Sequence, residues 1–423
     1  MSSYSTPALF AALALIVNGT AAGAAEWSHV MGPRYDRKSA ESVPVPALAG
    51  TPRRLWEISV AGGFSSFVTG EGKAYTVIPT NGRETAVALD RKTGKMLWQT
   101  PLGAMGYRNG GERGAEGNDG GDGPRATPVY SEKRVFVFGG KFDLYALDSG
   151  TGRILWQRDL IKEFGGSEIT WSNAAAPLLV GDRVLVAGGG PNQSYLAFRA
   201  DSGDVVWKAG SDEATHSTPI VATIHGKEQA IFLVKRGLVS RDPADGRELW
   251  HYPFTHRTST AASPVVWGDI VNCAAGYQVG GGACQIKRVG ETWEATELWR
   301  SLGNDTSAHW STAVAHEGFL YGIYGHRDFA KNSFKCIDIR TGKIQWEKPG
   351  FGPSQLIMAG DRLAATTDYG DLVLIEPTPT AYREHARAKI IEGKVWAHLA
   401  LSDGQLLLRS TTKGVCVDLA RTN

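Results

Sequence analysis

Apolar and polar residues alternate along most of this chain in short runs, with the two-residue period of strands that bury one face. The stretch from Thr127 shows the unit. Thr127-Pro-Val-Tyr130 leads through the polar Ser131-Glu-Lys-Arg134 into Val135-Phe-Val-Phe138, and Leu144-Tyr-Ala-Leu147 turns at Gly150-Thr-Gly-Arg153 into Ile154-Leu-Trp-Gln157. Asp and Gly fall where a tight turn needs a polar cap or a positive φ. Each unit therefore predicts four short antiparallel strands and almost no helix.

The closing strand pair recurs. Ala88-Leu-Asp-Arg-Lys-Thr-Gly-Lys-Met-Leu-Trp98, Ala146-Leu-Asp-Ser-Gly-Thr-Gly-Arg-Ile-Leu-Trp156 and Cys336-Ile-Asp-Ile-Arg-Thr-Gly-Lys-Ile-Gln-Trp346 are clear copies. Looser ones end at Trp207, Trp250 and Trp299, and one between Leu374 and Ile390 has lost its Trp. A period of roughly 40 to 60 residues with four strands per unit signals a β-propeller. The last unit stops at Gly414-Val-Cys-Val-Asp-Leu419, without a fourth strand, and Arg53-Arg-Leu-Trp-Glu-Ile-Ser59 supplies one from the other end. The expectation is an all-β, eight-bladed β-propeller of four-stranded antiparallel blades, closed by the N-terminal strand joining the C-terminal blade; a seven-bladed ring is the competing count. Closure in this way removes an open edge. The repeated Trp reads as a wedge between blades.

The Ala-x-Asp-x-x-Thr-Gly-x-x-x-Trp pattern resembles the tryptophan-docking repeat of the pyrroloquinoline quinone (PQQ)-like propellers, over essentially the whole chain after its N-terminal segment. Trp27 to Ser39 and Gly123-Pro-Arg-Ala-Thr-Pro128 are similar to stretches of exported PQQ-like repeat proteins. That superfamily includes quinoprotein alcohol dehydrogenases and the propeller lipoprotein of the outer-membrane β-barrel assembly machine, so the resemblance implies a fold and leaves the activity open. A dehydrogenase of this kind would hold PQQ between a Trp floor and a disulfide of adjacent Cys, with Ca²⁺ beside it. No adjacent Cys pair occurs here, which disfavours that cofactor, and the sequence assigns no other.

Ala8 to Val17 is apolar and is followed by small residues up to Ala25, the layout of a signal peptide, although Met1 to Pro7 carries no Lys or Arg. The expected division is residues 1–25 signal peptide, 26–52 N-terminal extension and 53–423 propeller, in a periplasmic or secreted protein. No later stretch has the ~18 apolar residues of a transmembrane helix. A formal charge of +2 gives no bias toward nucleic acid. Cys273 and Cys284 flank a Gly-rich turn and read either as a hairpin disulfide or as two buried thiols; Cys336 and Cys416 read as core. Gly188-Gly-Gly and Gly280-Gly-Gly open no helix and read as turns.

Turns within the strand pairs are short, whereas Gly103 to Arg125, Gly188 to Ser194, Ala275 to Gly282 and Tyr324 to Ser333 are long and irregular. Long loops on a rigid scaffold carry function, so the working face is expected there. Residues before each inner strand should ring the channel mouth: Ser65, Ser66, Arg125, Trp171, Asn173, His216, Thr260, His309, Trp310, Gln355 and His398, with Asp122, Tyr277, Tyr324, His326 and Arg327 from the loops. Aromatic faces beside amide, imidazole and guanidinium donors suit a saccharide or carboxylate. The same polar residues serve equally well to satisfy backbone at the strand starts. His216, His309, His326 and His398 are candidate metal ligands, and Asp119 with Asp122 in Asn118-Asp-Gly-Gly-Asp-Gly123 a candidate Ca²⁺ loop, although neither has a ligand spacing of its own. The leading expectation is an exported binding or scaffold module whose ligand, a saccharide or an envelope protein, sits at the mouth. A PQQ- or metal-dependent oxidoreductase and a carbohydrate-active hydrolase or lyase are the rivals.

Overall fold

The computed structural model describes residues 26–105, 123–256, 260–325 and 331–420. Eight sheets form a ring, seven of four strands and one of five. The inner strands are Val68–Gly70, Val129–Ser131, Leu178–Val180, Ile220–Ile224, Val265–Trp267, Val314–His316, Leu356–Ala359 and Ala400–Ser402, defining blades one to eight. Blade eight closes as expected: Arg53–Ser59 pairs antiparallel with Lys413–Asp418, placing Trp56 opposite Cys416. A five-residue helix, Leu160–Phe164, follows the outer strand of blade two.

The repeat motif builds a joint between neighbouring blades. In blade one, Asp90 Oδ1 accepts from the Thr93 amide and hydroxyl, both at 2.8 Å, which folds the turn and holds the Asp90 carboxyl below its usual pKa. The Gly that follows takes a left-handed conformation, with φ of +70° at Gly94 and +74° at Gly152. A Cβ there would lie 2.7 Å from the Trp56 ring and 2.6 Å from the Trp98 ring. Trp56, Trp98, Trp156, Trp207 and Trp299 each lie against the Gly of the next blade's turn, and these indoles, with that of Trp346, donate to a carbonyl of the turn they meet: Trp56 to Arg91 (2.7 Å), Trp98 to Ser149 (3.0 Å), Trp156 to Ala200 (3.1 Å), Trp207 to Pro243 (3.0 Å), Trp299 to Ile339 (2.8 Å) and Trp346 to Thr378 (2.8 Å). Gly is required because only it accepts both the positive φ and the contact with the ring.

One open pair of readings is decided and one expectation is corrected. Cys273 lies opposite Gly282 and Cys284 opposite Val271, so the pair is offset along the ladder, and all four cysteines are free, buried thiols. Gly280-Gly-Gly is not a turn but opens the strand Gly280–Val289, where a Cβ would meet the Ser301 carbonyl, the Thr306 carbonyl and the Tyr252 hydroxyl. Backbone packed that closely leaves room for no side chain.

The segment after residue 25 enters the ring. Trp27 exchanges backbone hydrogen bonds with the Thr69 side chain and amide in blade one, and Ser28 accepts from Tyr130 in blade two. His29 and the Tyr35 hydroxyl donate to Pro177 and Leu179 of blade three. Lys38–Ser39 then runs parallel to the inner strand of blade seven as its fifth strand. A turn in which the Arg37 amide donates to Met31 lets the segment reverse inside the channel.

Candidate functional site

The rim above the inner strands carries a regular position. Phe64, Arg125, His216, Trp310 and Trp396 each lie four residues before the inner strand of their blade. Equivalent placement in a ring points these side chains at the channel mouth, and aromatic rings dominate the set.

Those rings join into a row across the mouth. Phe64 stacks on Trp396 with centroids 5.2 Å apart, Trp396 meets Trp310 at 4.6 Å, and Trp310 meets His309 at 4.3 Å. His309 continues to Tyr277 at 4.8 Å, Tyr277 lies parallel to Trp171 at 6.2 Å, and Trp171 reaches His216 at 6.4 Å. Two of these rings are set by unusual backbone. Trp171 and Ser172 have φ of 66° and 61°, Tyr277 and Gln278 of 57° and 68°. A left-handed conformation costs a non-glycine residue roughly 1–2 kcal/mol; such strain concentrates where a side chain must be aimed.

Polar groups hold the row in place. Gln355 Nε2 donates to the carbonyls of Trp310 (3.0 Å) and Trp396 (3.4 Å), leaving its buried Oε1 without a hydrogen-bond partner. The Trp396 indole donates to the Asp368 carboxylate, and the Lys394 ammonium lies 4.6 Å from the Trp396 ring centroid. His216 Nε2 donates to the Thr170 carbonyl at 2.8 Å. Burial strips water from both mouth histidines: His216 is lowered to about 4, with the nearby Arg125 adding to the effect, and His309 is lowered further. Both imidazoles are neutral near pH 7 and poorly suited to proton transfer at that pH.

The predicted site residues divide accordingly. Trp171, His216, Tyr277, His309 and Trp310 come together, and Gln355 braces them. Asn173 instead satisfies the backbone of Phe138 and Ala175, Thr260 donates to Ala274, Ser65 accepts from Val77, and Ser66 accepts from His398. Tyr324 packs into the core between blades five and six, 4 % exposed, because its strand turns that face toward Ala262 and Val265. His398 leaves the row: its Nδ1 accepts from Arg37 at 2.8 Å. His326, Arg327, Asp119 and Asp122 lie outside the described residues. Among the described residues no three His, Cys, Asp or Glu side chains gather to hold an ion. That donor set, with every cysteine isolated within a strand, does not fit a Ca²⁺-bound quinone. Sequence reading missed Phe64 and Trp396, although the register shared with Trp310 marks both.

What the row offers chemically is a half-buried aromatic surface with few polar atoms, suited to apolar and stacking contacts. The family profile described as outer membrane protein assembly factor BamB matches residues 82–348. A protein of that description from Burkholderia pseudomallei is 25% identical over 284 residues, 58% of this chain and 72% of its own. The crystal structure of BamB from Moraxella catarrhalis superposes with a TM-score of 0.60 at 14% identity, over 88% of this chain and all of that one. The quinohemoprotein alcohol dehydrogenase of Comamonas testosteroni gives 0.64 at 12% identity, over 94% of this chain and 81% of that one. The two structural likenesses establish the shared fold.

Proposed function

This chain belongs to the family of the outer membrane protein assembly factor BamB, and from that premise we propose that it is a non-catalytic scaffold that docks a protein of the cell envelope at its aromatic rim. The observation that carries the reading is the continuous row from Phe64 to His216, whose imidazoles are engaged or desolvated; Trp396 and His216 are buried in it, while Phe64, Trp171, Tyr277, His309 and Trp310 stay partly exposed. Aromatic side chains give large contact area at low entropic cost and dominate protein interfaces. Exposed apolar contact, not charge steering, then supplies the affinity. The proposed partner is a component of the outer-membrane protein assembly apparatus, named by what the relatives are described as doing. Export of the chain, with cleavage near Ala25 and residues 26–52 preceding the propeller proper, belongs to the same reading. No helix among the described residues is long and apolar enough to cross a membrane.

Site-specific photo-crosslinking tests it. A photoreactive residue at Tyr277 or Trp310 is expected to capture an outer-membrane assembly component in intact cells, and one at Arg153, in an intra-blade turn on the other face, is not. Equal capture from both positions, or capture from Arg153 alone, would place the contact elsewhere. Binding of saccharides to the purified protein that Trp171→Ala abolishes would favour a glycan instead.

A further inference from the structure

The segment that enters the channel does not fill it evenly. Its hydrogen bonds among the described residues reach blades one, two, three, seven and eight, through Thr69, Tyr130, Pro177, Leu179, Leu356, Met358 and His398. None reaches blades four, five or six. Along those three inner strands a cavity of about 280 Å³ remains between the segment and the wall. It shares no lining residue with the pocket beneath the aromatic row, which is bounded by Tyr277, His309 and Trp310.

The two sides of this cavity differ in chemistry. The blade side is mostly apolar, formed by Ile220, Val221, Ala222 and Thr223 of blade four, Pro264, Val265 and Val266 of blade five, and Ala313 and Ala315 of blade six. The segment side carries the charges, Arg34, Asp36, Arg37 and Lys38, together with Met31 and Tyr35. Their commitments differ. Arg37 is spent: its guanidinium donates to the Leu356 carbonyl and to His398. Asp36 is spent on Arg34 at 3.4 Å and on the Lys38 amide at 3.1 Å. The Lys38 ammonium has neither hydrogen bond nor ion pair among the described residues, although it is half-buried. Asp36 acts on this ammonium from beyond ion-pair distance but does not offset its burial, and a carboxylate brought into contact relieves that cost. A volume near the lower end of small-molecule pockets limits the guest to metabolite size.

We propose that this cavity binds a small organic anion with an apolar body, its carboxylate at Lys38 and Arg34 and its body against Ile220, Val221, Val265 and Val266. The site is independent of the protein-docking role at the rim. Shape and charge select together: a neutral analogue forfeits the ion pair, and a compact inorganic anion forfeits the wall.

Titration calorimetry on the mature protein with 1-naphthoate, 1-naphthalenemethanol and 1-naphthylmethylammonium reads this directly. The carboxylate is expected to bind about tenfold or more tightly than the alcohol, the difference a charge-assisted contact makes, and the ammonium not at all. Lys38→Gln should bring naphthoate down to the level of the alcohol while leaving the alcohol unchanged. Since Lys38 is partly exposed, the variant is expected to melt with the parent. Ala222→Phe, placing a ring in the cavity, should weaken both neutral and anionic probes, and Trp171→Ala at the rim should weaken neither. Absence of naphthoate binding, equal binding of acid and alcohol, or loss in Trp171→Ala with Lys38→Gln unaffected would each overturn the proposal.

Discussion

Six of the eight blade junctions are alike, and the two that differ explain why the others work. At the regular junctions the outer-strand Trp of one blade donates to the intra-blade turn of the next. Between blades four and five that turn is displaced, because the outer hairpin of blade five runs through two ten-residue strands, Gly280–Val289 and Thr292–Ser301. Trp250 accordingly turns inward and donates to Gln229 of its own blade at 2.6 Å. The junction is rebuilt from Tyr252, whose hydroxyl donates to Glu297 at 2.8 Å, and from Arg300, 5.1 Å over the Tyr252 ring. Between blades seven and eight the receiving turn does not exist, since strands three and four of blade eight come from opposite ends of the chain. There Ala386 stands opposite Leu374 where other blades carry Trp, and the turn Val45–Leu48 fills the gap, its Ala47 and Leu48 clustering with Ala388 and Ile390. The Trp is thus half of a joint, retained where the neighbour supplies the other half.

The largest effect tests the junction without a turn. Removing Arg53–Ser59 exposes the unpaired edge of Lys413–Asp418 and is expected to leave no folded monomer on size-exclusion chromatography; a monomer with unchanged melting would mean that blade eight closes by other means. Next, Trp98→Ala should cost about 3–5 kcal/mol in denaturant unfolding. Combined with Gly152→Val the loss should fall short of the sum, because both changes break one joint, whereas Trp250→Ala and Gly290→Val should add. Additivity at both junctions would sink the two-part joint.

Acid separates the threaded segment, held through His29 and His398, from the joints by a smaller margin. Burial lowers His29 to about 3 and His398 well below 6.5, so both are neutral when folded. Between pH 6.5 and those values the unfolded chain binds more protons. Stability is therefore complete above pH 6.5 and declines as pH falls, for His29 by about 2 kcal/mol at pH 5. Protonated His398 also ceases to accept from Arg37. His29→Asn should flatten the pH dependence of the melting temperature, and Trp98→Phe should not. The smallest effect is expected from Ala386→Trp, which finds no turn to meet and should leave stability unchanged or slightly reduced; a clear gain would show that the Trp acts by size alone.

Blade number, strand order and ring closure were legible in the sequence because each rests on a repeated pattern: alternation, an Asp-Thr-Gly turn and a Trp at fixed offset. The burial of Cys336 and Cys416 followed from the same register, whereas the state of Cys273 and Cys284 did not. What repeats only once was not legible. The segment from Trp27 to Ser39 has no periodicity, and its place in the channel depends on partners such as His398, 361 residues from Arg37. At the mouth the sequence left ligand binding and backbone satisfaction equally open for groups such as Asn173 and Thr260, and only the carbonyls beside them reveal the second role. Trp396 escaped notice because His398, two residues later, drew the reading toward its imidazole.

A ring of near-equivalent blades would present the same groove eight times, and a visitor would have no reason to prefer one orientation about the axis. By hydrogen-bonding, among the described residues, to five blades and not to the other three, the threaded segment abolishes that rotational degeneracy. The molecule acquires a unique azimuth, and whatever meets either opening meets it in a single setting.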